Sequence, residues 1–287
     1  MTEDLARIAT ALEALAARLA PPAPPAADPA AGHWFVWAGG RLAAAPVPRL
    51  TPLALYKGVE SQRDALLENA RRHAGGLPAH DVLLWGSRGM GKSSLVRAVV
   101  AQLLADGQDI ALVQVARDEM QALAADMARL FGVLAEVQRP FLLFLDDLAF
   151  DHSGAEVHGL RALLDGGVQA RPETVRLAVT SNRRNLLPQR LASADAEDAS
   201  PRDSRDDQLA LADRFGLKLG FHACDQQAYL DMCAGYGAAY GLDIDPAAAL
   251  AWAAGRGARS GRVAWQFIVE TAGAQGKRLP SLPPAAR

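Results

Sequence analysis

The sequence predicts an α/β protein in which a parallel sheet lies between layers of helices and is followed by a small all-helical domain. Two observations support this fold class. Apolar segments with strand character alternate with helical segments between residues 82 and 221, and this alternation is typical of a parallel sheet. From about Ala223 onward the pattern is wholly helical, and Asp245–Pro246 and Ser260 are signals for helix starts.

Five apolar segments are the candidate strands of the sheet. Each is short and rich in aliphatic or aromatic side chains, as expected for a strand buried on both faces. The segments are Val82–Trp85, Ile110–Val115, Phe141–Leu145, Val175–Thr180 and Leu217–Phe221. Because ligands of such sheets bind at the carboxyl ends of the strands, the residues that follow these segments are the candidate site.

A glycine-rich segment follows the first candidate strand and precedes a helical segment. It reads G-x-x-x-x-G-K-S, the P-loop or Walker A pattern. Glycines let backbone N–H groups approach phosphate oxygens, Lys92 adds a positive charge, and the Ser93 hydroxyl is able to bind Mg²⁺. A glycine turn with an incidental lysine is the alternative. We predict a site for ATP and Mg²⁺ formed by Gly86, Ser87, Arg88, Gly89, Met90, Gly91, Lys92, Ser93 and Ser94.

Two aspartates, Asp146 and Asp147, end the third candidate strand and form a Walker B candidate. A buried strand places terminal carboxylates at the edge of the sheet, beside the glycine-rich loop. We predict that Asp146 holds Mg²⁺ together with Ser93, and that Asp147 orients or deprotonates an attacking water. The alternative is a pair of acids that merely ends a strand.

Three further residues are candidates for contacts near the γ-phosphate. Asn182 follows the fourth strand, where its amide could bond a phosphate oxygen or the attacking water, or simply form a turn. Arg214 precedes the last strand and Arg262 begins a helix. Either arginine could stabilise charge in the transition state or make an ordinary ion pair. The segment Tyr56–Glu60, which contains Val59 and lies just ahead of the P-loop strand, could cover an adenine ring or simply begin a helix.

Taken in order, these segments resemble the AAA+ ATPases, most closely the group catalogued as domain of unknown function 815. The resemblance covers about residues 50–272. It implies that Asn182 is sensor 1, that Arg262 is sensor 2 in a helical lid, and that Arg214 is an arginine finger acting on ATP in a neighbouring subunit. It also implies a homo-oligomer, often a ring, that uses ATP hydrolysis to move a protein partner. The likeness is carried by Phe144–Leu148, Thr180–Arg184 and Asp213–Leu217.

One position departs from the pattern of this superfamily. Many AAA+ proteins have Asp-Glu where this chain has Asp146–Asp147, and aspartate is shorter by one methylene. Paired aspartates also occur in the helicase-loader-like branch. Two alternatives to a hydrolysing machine therefore stay open. One is a switch in which ATP gates binding or assembly with little hydrolysis, and the other is a loader associated with DNA.

The remaining segments complete the predicted domain organisation. A heptad stripe of leucine and isoleucine predicts an amphipathic helix in residues 1–20, and residues 21–50 form a Pro- and Ala-rich linker with a short strand at 33–37. The ATP-binding domain follows at 51–222, the helical lid at 223–275 and a tail at 276–287. Residues 193–208 form an acidic loop, and a small basic group consists of Arg183, Arg184 and Arg190.

Bulk composition narrows the class of protein. The 287 residues carry a net charge of −2, which does not demand a nucleic-acid partner, although a local basic patch is compatible with one. Cys224 and Cys233 fit neither a metal site nor a disulfide framework. No apolar run approaches the ~18 residues of a membrane span, and Glu3 and Asp4 are unlike a secretory signal. We therefore expect a cytoplasmic protein without a membrane partner.

Overall fold

The computed structural model of the chain describes residues 25–116, 123–148, 160, 164, 171–182 and 211–279. The strands in these ranges are β1 (Trp34–Ala38), β2 (Arg41–Ala44), β3 (Val82–Gly86), β4 (Ala111–Val115), β5 (Phe141–Leu145), β6 (Val175–Ser181) and β7 (Leu217–Phe221). They form one sheet in the order β2-β1-β4-β5-β6-β3-β7. The β1–β2 pair is antiparallel and the other neighbouring pairs are parallel. All five predicted strands are confirmed, as β3 to β7.

Helices cover both faces of the sheet, as the sequence predicts. The helices in the described ranges are α1 (Glu60–Ala74), α2 (Lys92–Ala105), α3 (Leu123–Ala135), α4 (Gln226–Tyr240), α5 (Pro246–Gly255) and α6 (Gly261–Ala274), with a 3₁₀ turn at Leu53–Leu55. Successive strand residues alternate between two cores. Leu84 packs in the core that contains α1 and α2, whereas Leu83 packs in the core that contains α3. This double burial explains why β3 and β5 are apolar throughout.

The strand order decides which loops meet. β6 lies between β3 and β5, with Trp85 paired to Ser181 and Leu145 paired to Val179. The glycine-rich loop after β3, the aspartates after β5 and Asn182 after β6 therefore emerge side by side at one edge of the sheet. This is the edge at which open parallel sheets bind their ligands.

Residues 34–44 differ from the prediction. The sequence suggests one short strand within a linker, but this segment forms two strands that extend the central sheet beyond β4. β1 pairs in parallel with β4, from Trp34 opposite Leu112 to Trp37 opposite Val115. Trp37 is fully buried on the α3 face of the sheet. Burial of such aromatic surface offsets the preference of the Pro-rich flanks for an extended, solvated chain.

Arg139 fastens this N-terminal segment to the rest of the sheet. Its side chain is buried and lies 5.8 Å from the centre of the Phe141 ring. One guanidinium nitrogen, Nη2, forms an ion pair with Asp109 and lies 2.8 Å from Nδ1 of His33. The other, Nη1, donates to three backbone carbonyls, those of Pro29 at 3.1 Å, Ala30 at 3.3 Å and Gly32 at 2.7 Å.

The chain from Gln226 to Ala274 forms a helical lid of α4, α5 and α6. Each helix begins with a side-chain cap. The carboxylates of Asp225 and Asp245 accept the N–H groups of Ala228 and Ala247, and the Ser260 hydroxyl accepts that of Val263. The two helix starts predicted at Asp245 and Ser260 are confirmed.

Several predicted segments lie outside the described residues. These are the N-terminal helix at 1–20, the acidic loop at 193–208, the basic group of Arg183, Arg184 and Arg190, and residues 280–287 of the tail. Within the described ranges, no helix combines the length and the apolar character that crossing a bilayer requires.

Candidate active site

The glycine-rich loop joins the end of β3 to the start of α2. Three of its glycines have positive φ angles, 120° at Gly86, 77° at Gly89 and 87° at Gly91. A Cβ at Gly86 would clash with the backbone of Phe221 in β7, and the N–H of Ser87 donates to the Phe221 carbonyl at 2.7 Å. The loop is therefore held against β7 in a conformation that requires glycine. A strand, this loop and a helix N-terminus together form the arrangement in which proteins bind phosphate.

Lys92, the first residue of α2, points into the loop. Its ammonium group donates to the carbonyls of Gly86 at 2.9 Å and Ser87 at 2.8 Å, and to Oδ1 of Asn182 at 3.0 Å. Burial lowers the pKa of Lys92 to about 8, although the nearby carboxylates of Asp147 and Asp146 oppose this shift. A desolvated ammonium in this position gains stabilisation when an anion binds beside it.

The two aspartates after β5 face the start of α2. The Ser93 hydroxyl donates to Oδ1 of Asp146 at 2.5 Å, and the Thr180 hydroxyl donates to the same oxygen at 2.7 Å. The Thr180 hydroxyl also accepts the backbone N–H of Asp147 at 2.8 Å. One buried hydroxyl on β6 thus contacts both acidic residues and fixes their relative positions.

Asp147 has a φ angle of 60°, and no other non-glycine residue in the described ranges has a positive φ angle. Its Oδ1 accepts a hydrogen bond from Nδ2 of Asn182. Asn182 therefore bridges Asp147 and Lys92 with the two ends of one amide. The site brings together Lys92, Ser93, Asp146, Asp147 and Asn182, as the sequence predicts.

The start of α6, in the lid, contacts the glycine-rich loop. The N–H of Arg262 donates to the Gly89 carbonyl at 3.0 Å, and a Cβ at Gly89 would lie 3.0 Å from the Ser260 hydroxyl. The Arg262 side chain lines the same cleft as Lys92 and the two aspartates. Arg214 is exposed in the segment before β7 and does not line this cleft. The two candidate arginines are thus in different places.

The cleft has a volume of about 1140 Å³ and is lined by the two aspartates, the glycine-rich loop and residues of the lid. Val59 lines it, as expected of a residue that covers an adenine ring, although that role stays a prediction. Tyr56 packs against the loop, 3.3 Å from the position of a Cβ on Gly91, and burial raises the pKa of its hydroxyl. The aromatic side chains that line the cleft are those of Tyr56, Tyr236 and Trp265.

Sequence reasoning missed two residues at this site, Arg97 and Gln114. Arg97 lies one helical turn after Ser93, and its guanidinium Nη2 lies 3.4 Å from Oδ2 of Asp146 and 3.1 Å from Oε1 of Gln114. The four-residue spacing from Ser93 places Arg97 on the same face of α2, and that spacing was an available signal. Gln114 reaches the site through a tertiary contact with Arg97, which no local pattern specifies.

The residues present fit both predicted cofactors. Ser93 and Asp146 offer hydroxyl and carboxylate oxygens, the hard donors that Mg²⁺ prefers, and they are already in contact. The positive φ angles at Gly86, Gly89 and Gly91 suit the tight glycine-rich turn whose backbone N–H groups bind phosphate in proteins. The buried ammonium of Lys92 supplies the opposite charge.

This fold, with its glycine-rich loop between β3 and α2, is a P-loop fold of the AAA+ type. A RuvB variant from Thermotoga maritima has the same fold, with 20% identity, a TM-score of 0.50 and a match over 81% of this chain and 68% of that one. The ORC1 protein of Aeropyrum pernix, solved in complex with DNA, matches 81% of this chain and 63% of its own, with 19% identity and a TM-score of 0.54. At such low identity the likeness concerns the fold alone.

Sequence comparison identifies the family. Residues 30–275 match the family described as "Protein of unknown function (DUF815)", and the chain therefore belongs to it. The match begins at residue 30 rather than at about residue 50, so it includes β1 and β2. No curated protein matches this chain in sequence.

Proposed function

We propose that the chain binds ATP with Mg²⁺ and hydrolyses it, and that hydrolysis is coupled to the remodelling or loading of a partner. The contact that carries this proposal is the 2.5 Å hydrogen bond from Ser93 to Asp146, beside the buried Lys92. It joins the P-loop helix to the acid pair of β5. A strand that merely ended in two acids would not require this contact.

In the proposed mechanism each residue has one task. Backbone N–H groups of the glycine-rich loop and the Lys92 ammonium bind the β- and γ-phosphates. Ser93 and Asp146 hold Mg²⁺, which when bound neutralises phosphate charge. Asp147 accepts a proton from the water that attacks the γ-phosphorus in line, and the bond from that phosphorus to the bridging oxygen breaks, so that ADP leaves with the bonding electron pair. Asn182 holds the Asp147 carboxylate in place. Arg262 brings positive charge from the lid as charge develops on the γ-phosphate.

Titration calorimetry with Mg·ATP and Mg·ADP tests the nucleotide site. We expect saturable binding by the full chain, weakened about 10- to 100-fold by Lys92→Ala because one charge-assisted contact to phosphate is lost. The matched control is Arg72→Ala, which removes a cation from the exposed face of α1, where it pairs with Glu68. Absence of heat with either nucleotide would contradict the proposal, and so would equal affinities of the Lys92→Ala variant and wild type.

Arg214 is proposed to act on ATP bound by a neighbouring copy of the chain. Its exposure and its absence from the cleft of its own subunit support this assignment. We expect Arg214→Ala to leave ATP affinity unchanged and to lower turnover about 10³-fold or more, by analogy with arginine fingers in general.

A mixing experiment distinguishes action across subunits from action within one. Arg214→Ala subunits retain Lys92, and Lys92→Ala subunits retain Arg214, so a mixed assembly contains some complete sites. Turnover by the mixture should exceed the sum of the two separate variants at the same total concentration. A mixture no more active than that sum would contradict the assignment.

A second candidate function is a switch in which ATP gates assembly or partner binding with negligible turnover. The observation that favours it is the short Asp147 side chain, which is hydrogen-bonded to Asn182. Binding of Mg·ATP without phosphate release, measured at concentrations where the chain self-associates, would select the switch.

A further inference from the structure

Arg97 holds a fixed place beside the aspartate assigned to the metal. It lies on α2, one turn beyond Ser93, and its guanidinium carbon is 5.1 Å from the centre of the Phe144 ring. Nη2 donates to Oε1 of Gln114 at 3.1 Å, and Nη1 lies 3.5 Å from the Ser93 carbonyl. Contacts from a helix and two strands therefore hold the guanidinium. Such restraint is unlike that of an exposed arginine in a transient ion pair.

The Asp146 carboxylate is divided between two kinds of partner. Oδ1 accepts hydrogen bonds from the hydroxyls of Ser93 and Thr180, whereas Oδ2 lies 3.4 Å from the guanidinium of Arg97. About a quarter of each side chain in the ion pair is exposed, so solvent screens the attraction only in part. Arg97 thus places a positive charge against the same carboxylate that is assigned to the metal.

This placement bears on how an anion enters the cleft. Asp146 and Asp147 line it together with the P-loop, so triphosphate approaching without a metal meets two carboxylates. In most metal-dependent nucleotide sites the divalent cation offsets such repulsion. Here a guanidinium, which does not lose its proton in proteins, offsets it at Asp146 before any metal arrives.

We propose that Arg97 is a positioning residue that partly replaces the divalent cation, so that ATP binds to this site with little dependence on Mg²⁺. This inference rests on the proposed function, since it concerns the same nucleotide site. In thermodynamic terms, Arg97 lowers the coupling between metal binding and nucleotide binding, measured as the ratio of the ATP dissociation constants without and with Mg²⁺.

The test measures that ratio directly. ATP is titrated into the full chain in excess EDTA and again in excess Mg²⁺, for wild type, Arg97→Gln, Arg97→Lys and the surface control Arg72→Gln. For wild type we expect dissociation constants that differ by less than about tenfold. Arg97→Gln should raise the ratio by about fivefold or more, chiefly by weakening binding in EDTA. Arg97→Lys keeps the charge and should restore part of the difference, and Arg72→Gln should match wild type.

The outcomes separate this inference from the proposed function and from a purely structural role. Equal weakening of ATP binding in both buffers by Arg97→Gln would overturn the inference, because a structural defect acts alike with and without metal. Tighter binding of ATP in EDTA by Arg97→Gln would overturn it as well. If wild type binds ATP in neither buffer, the nucleotide site itself is refuted. Thermal melting of each variant shows whether it is folded, and Arg97→Lys keeps the test informative if Arg97→Gln does not fold.

Discussion

Replacement of Asp147 by asparagine should reduce ATP turnover by about 10²- to 10⁴-fold while leaving Mg·ATP affinity close to that of wild type. An amide cannot accept the proton of the attacking water, and general-base catalysis typically contributes an acceleration of that size. The measurement is phosphate release under saturating Mg·ATP, combined with calorimetry on the same preparation.

The structure makes this substitution unusually conservative. Asparagine is among the few residues besides glycine that adopt positive φ readily, so it suits the 60° angle at position 147. Its Oδ1 can still accept the hydrogen bond from Nδ2 of Asn182. A change of backbone strain or of this contact is therefore a poor explanation for lost activity. Alanine at the same position would lack both advantages.

The exposed Asp231→Asn on α4 serves as the matched control, since it removes the same charge away from the cleft. Turnover by Asp147→Asn equal to that of wild type would contradict the role of Asp147 as a base. Loss of ATP binding together with turnover would instead place Asp147 among the binding residues.

The largest expected effect on stability comes from Arg139→Met. The substitution keeps most of the apolar stem and removes the guanidinium, which leaves three backbone carbonyls without their donor and removes the contact with Nδ1 of His33. Loss of hydrogen bonds from a buried charged group typically costs about 1.5–3 kcal/mol each, less where water can replace the donor. Asp109 is mostly exposed, so its ion pair adds little. We expect the free energy of unfolding to fall by about 2–4 kcal/mol.

Urea unfolding followed by circular dichroism measures this change. Arg71→Met, which removes a partly exposed arginine that pairs with Glu68 and Asp106, should change stability by less than about 0.5 kcal/mol. Arg139→Lys keeps the charge and one donor nitrogen, so its free energy of unfolding should lie between those of Arg139→Met and wild type. If Arg139→Met is as stable as wild type, the guanidinium contacts do not hold β1 and its leading segment to the sheet.

Local patterns predicted the strands that form the centre of the sheet. β3 and β5 are apolar at every position because helices cover both faces, and no charge interrupts them. The helix starts at Asp245 and Ser260 could also be predicted from the sequence. Each of these side chains caps its helix by accepting a backbone N–H from a residue two or three positions later. Such features depend on neighbours in sequence, which the sequence displays directly.

The pairing of strands that are distant in sequence could not be predicted from local patterns. β1 pairs with β4, which lies more than seventy residues later in the sequence, and no local pattern in β1 indicates that β4 is its partner. The Pro-rich flanks of residues 34–44 favoured the interpretation as a linker. Long-range strand pairing reflects the burial of Trp37 and the contacts of Arg139, both of which exist only in the folded chain.

Sequence motifs located the chemical groups of the site but not the contacts among them. Lys92, Asp146 and Asn182 were predicted to lie near one another, yet the amide of Asn182 that joins Lys92 to Asp147 follows from the position of β6 between β3 and β5. Arg97 was overlooked because it lies just beyond the P-loop pattern. Its role depends on Gln114 and Phe144, which come from other strands.

The two hydrogen bonds of the Thr180 hydroxyl restrict which residues position 180 can tolerate, in evolution or by design. This hydroxyl donates a hydrogen bond to the Asp146 carboxylate and accepts one from the backbone N–H of Asp147. The Thr180 side chain is almost fully buried. Apart from threonine itself, serine is the one small residue that combines both capacities on a hydroxyl oxygen. Valine would keep the shape but remove the donor and the acceptor together, so the geometry of the two acids would be lost at once.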